Sequence, residues 1–461
     1  MPPTNLILIS FDTLRFDALS AAPDRRLLGE DAGLARTPVL DEIAAEGTFF
    51  ARGVTTCPYT STSHASIFTG TYWPKHGVLD LFGYPMRGEA EPLAEALRER
   101  GYRTAQNAGR GWFDGDMFDL DRVGLNRGYE FEAFGGWWRR KSWRWLRKVV
   151  SEGRWYVFFH HMRVHRPYGK SHRKFRALVR RDLKDDTPFR RLRELYLRNV
   201  TSVDKKFGRV WERLRKEGAL DDTLVVILSD HGEGLSVHST IHCNPGGWQE
   251  GVCRVPVIFW APGCVQPGQV IEEPISTVDV APTIVDLLGL DWRPRLGFDG
   301  RSLAEVVRGG APVDGVPQRD CFLFASMSDG PDTPPLMHGM VRDVRKYVSF
   351  GQVRPEQWEE LERKWRESAD HRKKQSRHYN MSRLLERFRR GELELLFDVE
   401  QDPHELHNLA EQRPEEAETF RDAMERWYAE NQPGVDITRA ELDEEEEKDI
   451  QRRLSQLGYL E

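Results

Sequence analysis

Three short stretches of the chain carry side chains able to hold a cation and attack an ester. NLILISFD closes on Asp12, and DTLVVILSDHGEG sets Asp230 and His231 directly behind the apolar run LVVIL. A carboxylate and an imidazole on consecutive residues can both ligate one divalent ion, and the donor types suit Mn, Zn, Mg or Ca to differing degrees. Asp-His-Gly alone also describes a capped turn with an exposed histidine. Asp12, in the matching position behind a second buried strand, favours the metal. The third stretch, CPYTSTSH (57–64), offers Cys57, Thr60, Ser61, Thr62, Ser63 and His64 as possible attacking or orienting groups. A hydroxyl among them attacks at neutral pH only if a cation lowers its pKa and directs its lone pair.

These residues lie far apart in sequence, so the fold must gather them. NLILIS (5–10), the aromatic run within RWYVFFHHMRVH (154–165), LVVIL and VPVIFWAPG (255–263) are short continuous apolar runs of the kind that become buried strands. Helical patterns such as PLAEALRER (92–100) and LRNVTSVDKKFGRVWERLRKEG (197–218) separate them, the latter stopped by Gly218. The alternation predicts an α/β protein with a mostly parallel central sheet flanked by helices. In such sheets the polar residues just past strand ends share one rim, which brings together Asp12, His165, Asp230 and His231.

Length and composition set the outer bounds. The chain has 461 residues, 30% charged and 39% hydrophobic, with 67 basic against 73 acidic side chains, so neither a nucleic-acid surface nor global disorder is expected. MPPTNLILISFD has no basic leader and too short an apolar run for a signal peptide or a span, which reads as a cytoplasmic protein with no transmembrane segment. Five cysteines without paired spacing argue against a disulfide framework or structural zinc.

The pattern divides into a catalytic α/β domain over 1–310 and a small α+β C-terminal subdomain over 311–461. Two segments look added. FGGWWRRKSWRWLRKVV (134–150) can be a lid, a protein contact or a membrane-surface helix, or simply a helix that buries its indoles beneath a basic outer face. The charged stretch at 354–392 reads as a solvated excursion or an oligomer contact, which leaves a homo-oligomer open. In LELLFDVEQDPHELHNLAEQRPEEAETFRDAMERWY (393–428), a strand, a turn through Asp402-Pro403 and a helix follow in order.

TSTSHASIFTG resembles the nucleophile segment of the sulfatases within the alkaline phosphatase superfamily. NLILISFDTLRFDAL resembles that family's first strand with its metal-binding aspartate, and MRVHRPY (162–168) its His-x-Pro-Tyr loop. The metal turn SDHGE, WQEGVCRVPVIFWAPG, ISTVDVAPTIVDLLGL, FDGRSL and LFDVEQDPHELHNLA follow in family order. The resemblance implies an alkaline phosphatase-like fold, a divalent metal ion held by Asp12, Asp230, His231 and Thr60, and a small-molecule phosphate or sulfate ester as substrate. It also implies an attacking atom. Counting back from Thr69-Gly70 by the family's fixed distance lands on Thr60, while a formylglycine motif begun at Cys57 lacks its proline and arginine. Thr60 followed four residues later by His64 resembles the branches in which unmodified threonine attacks phosphorus.

Further roles follow from the same resemblance. Arg110 stands where the family has a lysine and can clamp an oxyanion, and His165 can hold the anion or act in catalysis. His238 and His242 can bind the anion, protonate the leaving group or complete a second metal site. His64 can contact substrate or orient Thr60, or be a helix-embedded histidine satisfied by a backbone carbonyl. Asp204 and Glu250 read as structural. The expected function is a metal-dependent phosphoesterase or phosphodiesterase acting through a covalent Thr60 intermediate. The alternatives are a sulfuric ester hydrolase, a phosphoryl or phosphoglycerol-type transferase, and a non-catalytic binding protein.

Overall fold

The computed structural model describes residues 2–79, 85–108, 123–134, 140–171, 173–175, 177–178, 190–235, 247–310, 319–325, 337–350 and 393–431. Its main sheet contains β1 (Asn5–Phe11), β2 (Thr48–Val54), β3 (Arg103–Ala108), β4 (Phe131–Phe134), β5 (Trp155–His161), β6 (Thr223–Leu228), β7 (Arg254–Trp260), β8 (Gln269–Ile271) and β9 (Ile275–Ser276). The strand order is β4-β3-β5-β1-β6-β7-β2-β8, with β9 also on β2. Strand β7 runs antiparallel to both neighbours, β6 and β2, and every other pairing in this sheet is parallel.

The continuous apolar runs are explained by helices on both faces. Along β1, Leu6 and Leu8 enter one buried cluster while Ile7, Ile9 and Phe11 enter the other, and β5, β6 and β7 divide their side chains in the same alternating way. On one face lie the helices Thr60–Thr69, Leu93–Glu99 and Val280–Leu287; on the other, Pro38–Ala45, Arg140–Val150 and the long helix Arg190–Lys216. Asp204 in that long helix accepts from the amides of Val39 and Leu40, so it caps the helix Pro38–Ala45, the structural place expected of it. All four free cysteines among the described residues lie in intermediate or buried positions.

A second, antiparallel sheet follows: β10 (Cys321–Ala325), β11 (Met337–Arg342), β12 (Arg345–Ser349) and β13 (Glu394–Asp398). One face packs Leu323, Val348 and Leu395 against Val54 and Cys253 at the edge of the main sheet. The other packs Phe322, Tyr347 and Leu396 against Phe420 and Tyr428 of the helix Pro414–Asn431. In the tryptophan-rich stretch, Trp143, Leu146 and Val149 point inward, Trp145 stacks on Phe131, and Arg213 lies 4.3 Å over the Trp143 ring. Arg140, Lys141, Arg144, Arg147 and Lys148 face outward, so the observed helix follows the packing alternative. Trp137, Trp138 and all of 354–392 lie outside the described residues. Among the described residues no helix is long and apolar enough to cross a membrane.

Candidate metal and nucleophile site

The parallel strands β1, β5 and β6 end at one rim, and β2, doubly reversed through β7, ends there too. Asp12 follows β1 and still belongs to its ladder, its amide donating to the His161 carbonyl at 3.1 Å. The chain then turns at Thr13, whose φ of +61° is unusual for a β-branched residue. Tyr196 secures that turn by accepting from the Arg15 amide at 2.9 Å and donating to the Thr13 carbonyl at 2.8 Å. Asp230 follows β6, and its Oδ1 accepts from the amides of Thr13 at 3.2 Å and His231 at 2.9 Å.

Asp12, Asp230 and His231 present ligand atoms within 4.8 Å of one another, all buried. One oxygen of each carboxylate is engaged: Asp12 Oδ2 accepts from His160 Nε2 at 3.2 Å, and Asp230 Oδ1 holds the two amides. The others, Asp12 Oδ1 and Asp230 Oδ2, are buried with no hydrogen-bond donor among the described residues. His231 Nδ1 faces the Gly232 carbonyl at 3.0 Å and donates to it, which turns Nε2 toward Asp230 Oδ2 at 3.6 Å and Thr60 Oγ1 at 3.4 Å, with its lone pair available to a cation in the neutral ring. Two orphaned carboxylate oxygens and one imidazole lone pair fit a divalent cation of the hard-to-borderline class, Mn, Mg, Zn or Ca.

The electrostatics agree. Burial first, and then Asp230, push the Asp12 carboxyl well above the usual carboxylate range. Asp230 is lowered: burial opposes its charge, but His231, His64 and His160 outweigh that. His231 is raised by Asp230 and Asp12 against the effect of burial. Two carboxylates in a dry rim repel unless positive charge lies between them.

Thr60 is the first residue of the helix Thr60–Thr69, and its Oγ1 lies 3.4 Å from His231 Nε2. Tyr59, at the N-cap, makes no side-chain bond to the first-turn amides. Ser63 Oγ and Thr55 Oγ1 both donate to the Asp230 carbonyl, at 2.7 and 2.5 Å, and so tie the Thr60 loop and helix to the metal turn. Cys57 is buried, with its amide and carbonyl both near Thr55 Oγ1.

The remaining expected residues divide. His64 sits in the helix-embedded arrangement that was one of its two expected readings. Its Nδ1 donates to the Thr60 carbonyl at 2.7 Å, its Nε2 meets Ser10 Oγ at 2.9 Å, and burial lowers it to about 3, so it is a neutral brace. His165 is also buried and lowered to about 3, mainly by burial and then by Arg166. Its Nδ1 donates to the Arg166 carbonyl at 2.9 Å. Arg110, His238 and His242 lie outside the described residues.

Three buried residues beside the cluster were not singled out from sequence. His160 reads as an interior strand residue, Arg166, flanked by His165 and Pro167, opposes with its charge the burial that raises Asp12 and Glu233, and Glu233 closes SDHGE. Glu233 is buried, accepts from Tyr168 Oη at 2.8 Å, and is raised chiefly by burial. The two histidines in FFHH, out of place in an otherwise apolar strand, were the available signal for His160.

A family model described as Sulfatase matches residues 4–290. Arylsulfatase D of Homo sapiens is 35% identical over 127 residues, which cover 25% of this chain and 21% of that protein. The arylsulfatase of Clostridium perfringens (strain 13 / Type A) is 23% identical over 447 residues, 78% of this chain and 88% of that protein. The chain spans about a fifth to a quarter of the length of several other curated relatives it matches. Among solved structures, the phosphonate monoester hydrolase of Agrobacterium radiobacter has a TM-score of 0.66 at 19% identity, covering 96% of this chain and all of that one, a likeness of fold. The residues placed around the orphaned carboxylate oxygens all fall inside the matched span, and the chain belongs to the sulfatase family.

Proposed function

We propose that the protein is a divalent-cation-dependent ester hydrolase in which the unmodified Thr60 hydroxyl attacks phosphorus. One observation carries this reading: Thr60 Oγ1, and no other hydroxyl of its helix, stands beside the His231 nitrogen of the cation set. When bound, the cation would lower the pKa of a neighbouring hydroxyl and neutralise charge on the transferring group. Asp12, Asp230 and His231 would hold it. Thr60 would form a phosphothreonyl ester as the leaving alkoxide departs in line, and water would then cleave that ester. The uncapped amides of the Thr60 helix would steady the anion. Arg110 would clamp an oxygen, with His165 close by, and His238 or His242 would protonate the leaving oxygen. A sulfate ester is the second reading, favoured by the arylsulfatases among the relatives.

Rates on aryl phosphodiester, phosphonate monoester, phosphate monoester and aryl sulfate, with intact-mass and peptide mapping of residues 57–64, test both. Turnover of a phosphorus ester that stops with chelator and returns with Mn²⁺ is expected. Thr60→Ala should lower kcat on the order of 10³-fold or more, and Cys57→Ala should keep it within about threefold. Formylglycine at Cys57 together with an inert Cys57→Ala would replace the threonine mechanism with the sulfatase one.

A further inference from the structure

On the second sheet, Lys346 of β12 is fully buried between two carboxylates. Its Nζ lies 2.5 Å from Glu250 Oε1, 2.8 Å from Glu405 Oε1 and 2.9 Å from the Trp248 carbonyl. Glu405 Oε2 in turn accepts from the Glu250 amide at 2.8 Å. Burial opposes charge on Lys346, yet the two glutamates hold it above its ordinary range, so the ammonium persists. The second sheet and the loop behind it thus grip both the side chain and the backbone of Glu250.

Glu250 opens the short helix Glu250–Cys253, and the next three carbonyls point back at the catalytic rim. Gly251 O accepts from the Glu233 amide at 3.0 Å, Val252 O from the Gly232 amide at 2.7 Å, and Cys253 O from the Thr55 amide at 3.0 Å. The first two bonds fix the backbone immediately after His231, and the third fixes the loop that leads into Thr60. The packing leaves no slack. A Cβ on Gly232 would lie 2.1 Å from Gly251 O, and one on Gly251 would lie 2.5 Å from Arg15 Nη1, which donates to the Glu233 carbonyl while Nε and Nη2 of the same guanidinium donate to Asp17.

We propose that Lys346, through Glu250 and Glu405, is a positioning residue that sets the spacing between the Thr60 hydroxyl and the His231 ligand, so that the C-terminal sheet is part of the cation site's frame. The proposal rests on the cation-site reading above. Among the described residues no hydrogen bond or ion pair joins the second sheet to Asp12, Asp230 or His231; the effect travels through three consecutive backbone hydrogen bonds.

The test is Mn²⁺ affinity by calorimetry on full-length protein, with circular dichroism and Tm for each variant, all at a temperature well below every Tm. Lys346→Met and the milder Glu250→Gln are compared with Leu396→Ala. Leu396 is fully buried on the opposite face of the second sheet, against Phe420 and Tyr428, and outside the Lys346 linkage. Expected is wild-type Mn²⁺ binding that weakens about tenfold or more in Lys346→Met and severalfold in Glu250→Gln, while Leu396→Ala loses Tm but keeps affinity. Wild-type affinity in folded Glu250→Gln and Lys346→Met overturns the proposal, as does an equal loss in Leu396→Ala. Should Lys346→Met fail to fold, Glu250→Gln decides. A wild-type protein that binds no Mn²⁺ removes the cation-site reading itself, an outcome separate from the others.

Discussion

Asp12 and Asp230 each engage one oxygen with the protein and leave the other without a donor among the described residues. That division is set by neighbours: His160 for Asp12, and the amides of Thr13 and His231 for Asp230. His160 does not reach the proposed cation, yet its Nε2–H fixes which Asp12 oxygen is turned inward. His160→Ala is expected to weaken Mn²⁺ binding by roughly 10- to 100-fold in calorimetry, with Thr60 chemistry otherwise intact at saturating metal. Asp12, Asp230, His231 and Thr60, which the structure brings together, were legible in the sequence because each follows an apolar run or fits a fixed spacing. The sequence hid the tautomers. Whether His64 serves a ligand or a carbonyl depends on Ser10, 54 positions away, and no local pattern encodes that partner.

The four apolar runs at β1, β5, β6 and β7 are all strands of the main sheet, as their continuous hydrophobicity implies. Their direction was not legible. VPVIFWAPG looks like its parallel counterparts, but β7 runs backwards and so brings its first residue, rather than its last, to the catalytic rim. TFFARGV and RTAQNA escaped notice because Arg52, Arg103 and Gln106 interrupt the apolar pattern. At this scale the tightest constraint is the meeting of two turns. Gly232→Ala drives a Cβ to 2.1 Å from a backbone carbonyl that has no side-chain freedom with which to yield. It is expected to cost more than about 3 kcal/mol, seen as a large drop in urea midpoint, whereas Gly33→Ala, with nothing within 4 Å, should stay within about 0.5 kcal/mol.

Across the whole molecule, the two sheets meet at a buried lysine with two glutamates, whose carboxyls are shifted in opposite directions. Glu250 is lowered: burial opposes its charge, but Lys346 and then Arg254 prevail. Glu405 is pushed up to about 7, by burial and by Glu250, against Lys346. Arg52 also faces Glu250. A carboxyl with a folded pKa above its unfolded value of about 4.3 keeps its proton longer in the folded state. Its contribution to stability is therefore complete below about pH 4 and disappears as pH rises through about 7. The Tm of wild type should fall from pH 5 to pH 8 relative to Glu405→Gln, whose profile should be flatter over that window. Parallel profiles for the two proteins would refute the assignment.

The backward course of β7 has one more effect. The segment 236–246, with His238 and His242, leaves from a turn held by Leu235 N on Glu233 O and returns at Gly247, whose carbonyl accepts from Cys253 Sγ at 3.4 Å. Both anchor points are held by bonds among the described residues. On the roles proposed for His238 and His242, grafting a relative's version of this stretch is expected to change leaving-group preference in kcat/KM while Mn²⁺ affinity stays within about threefold.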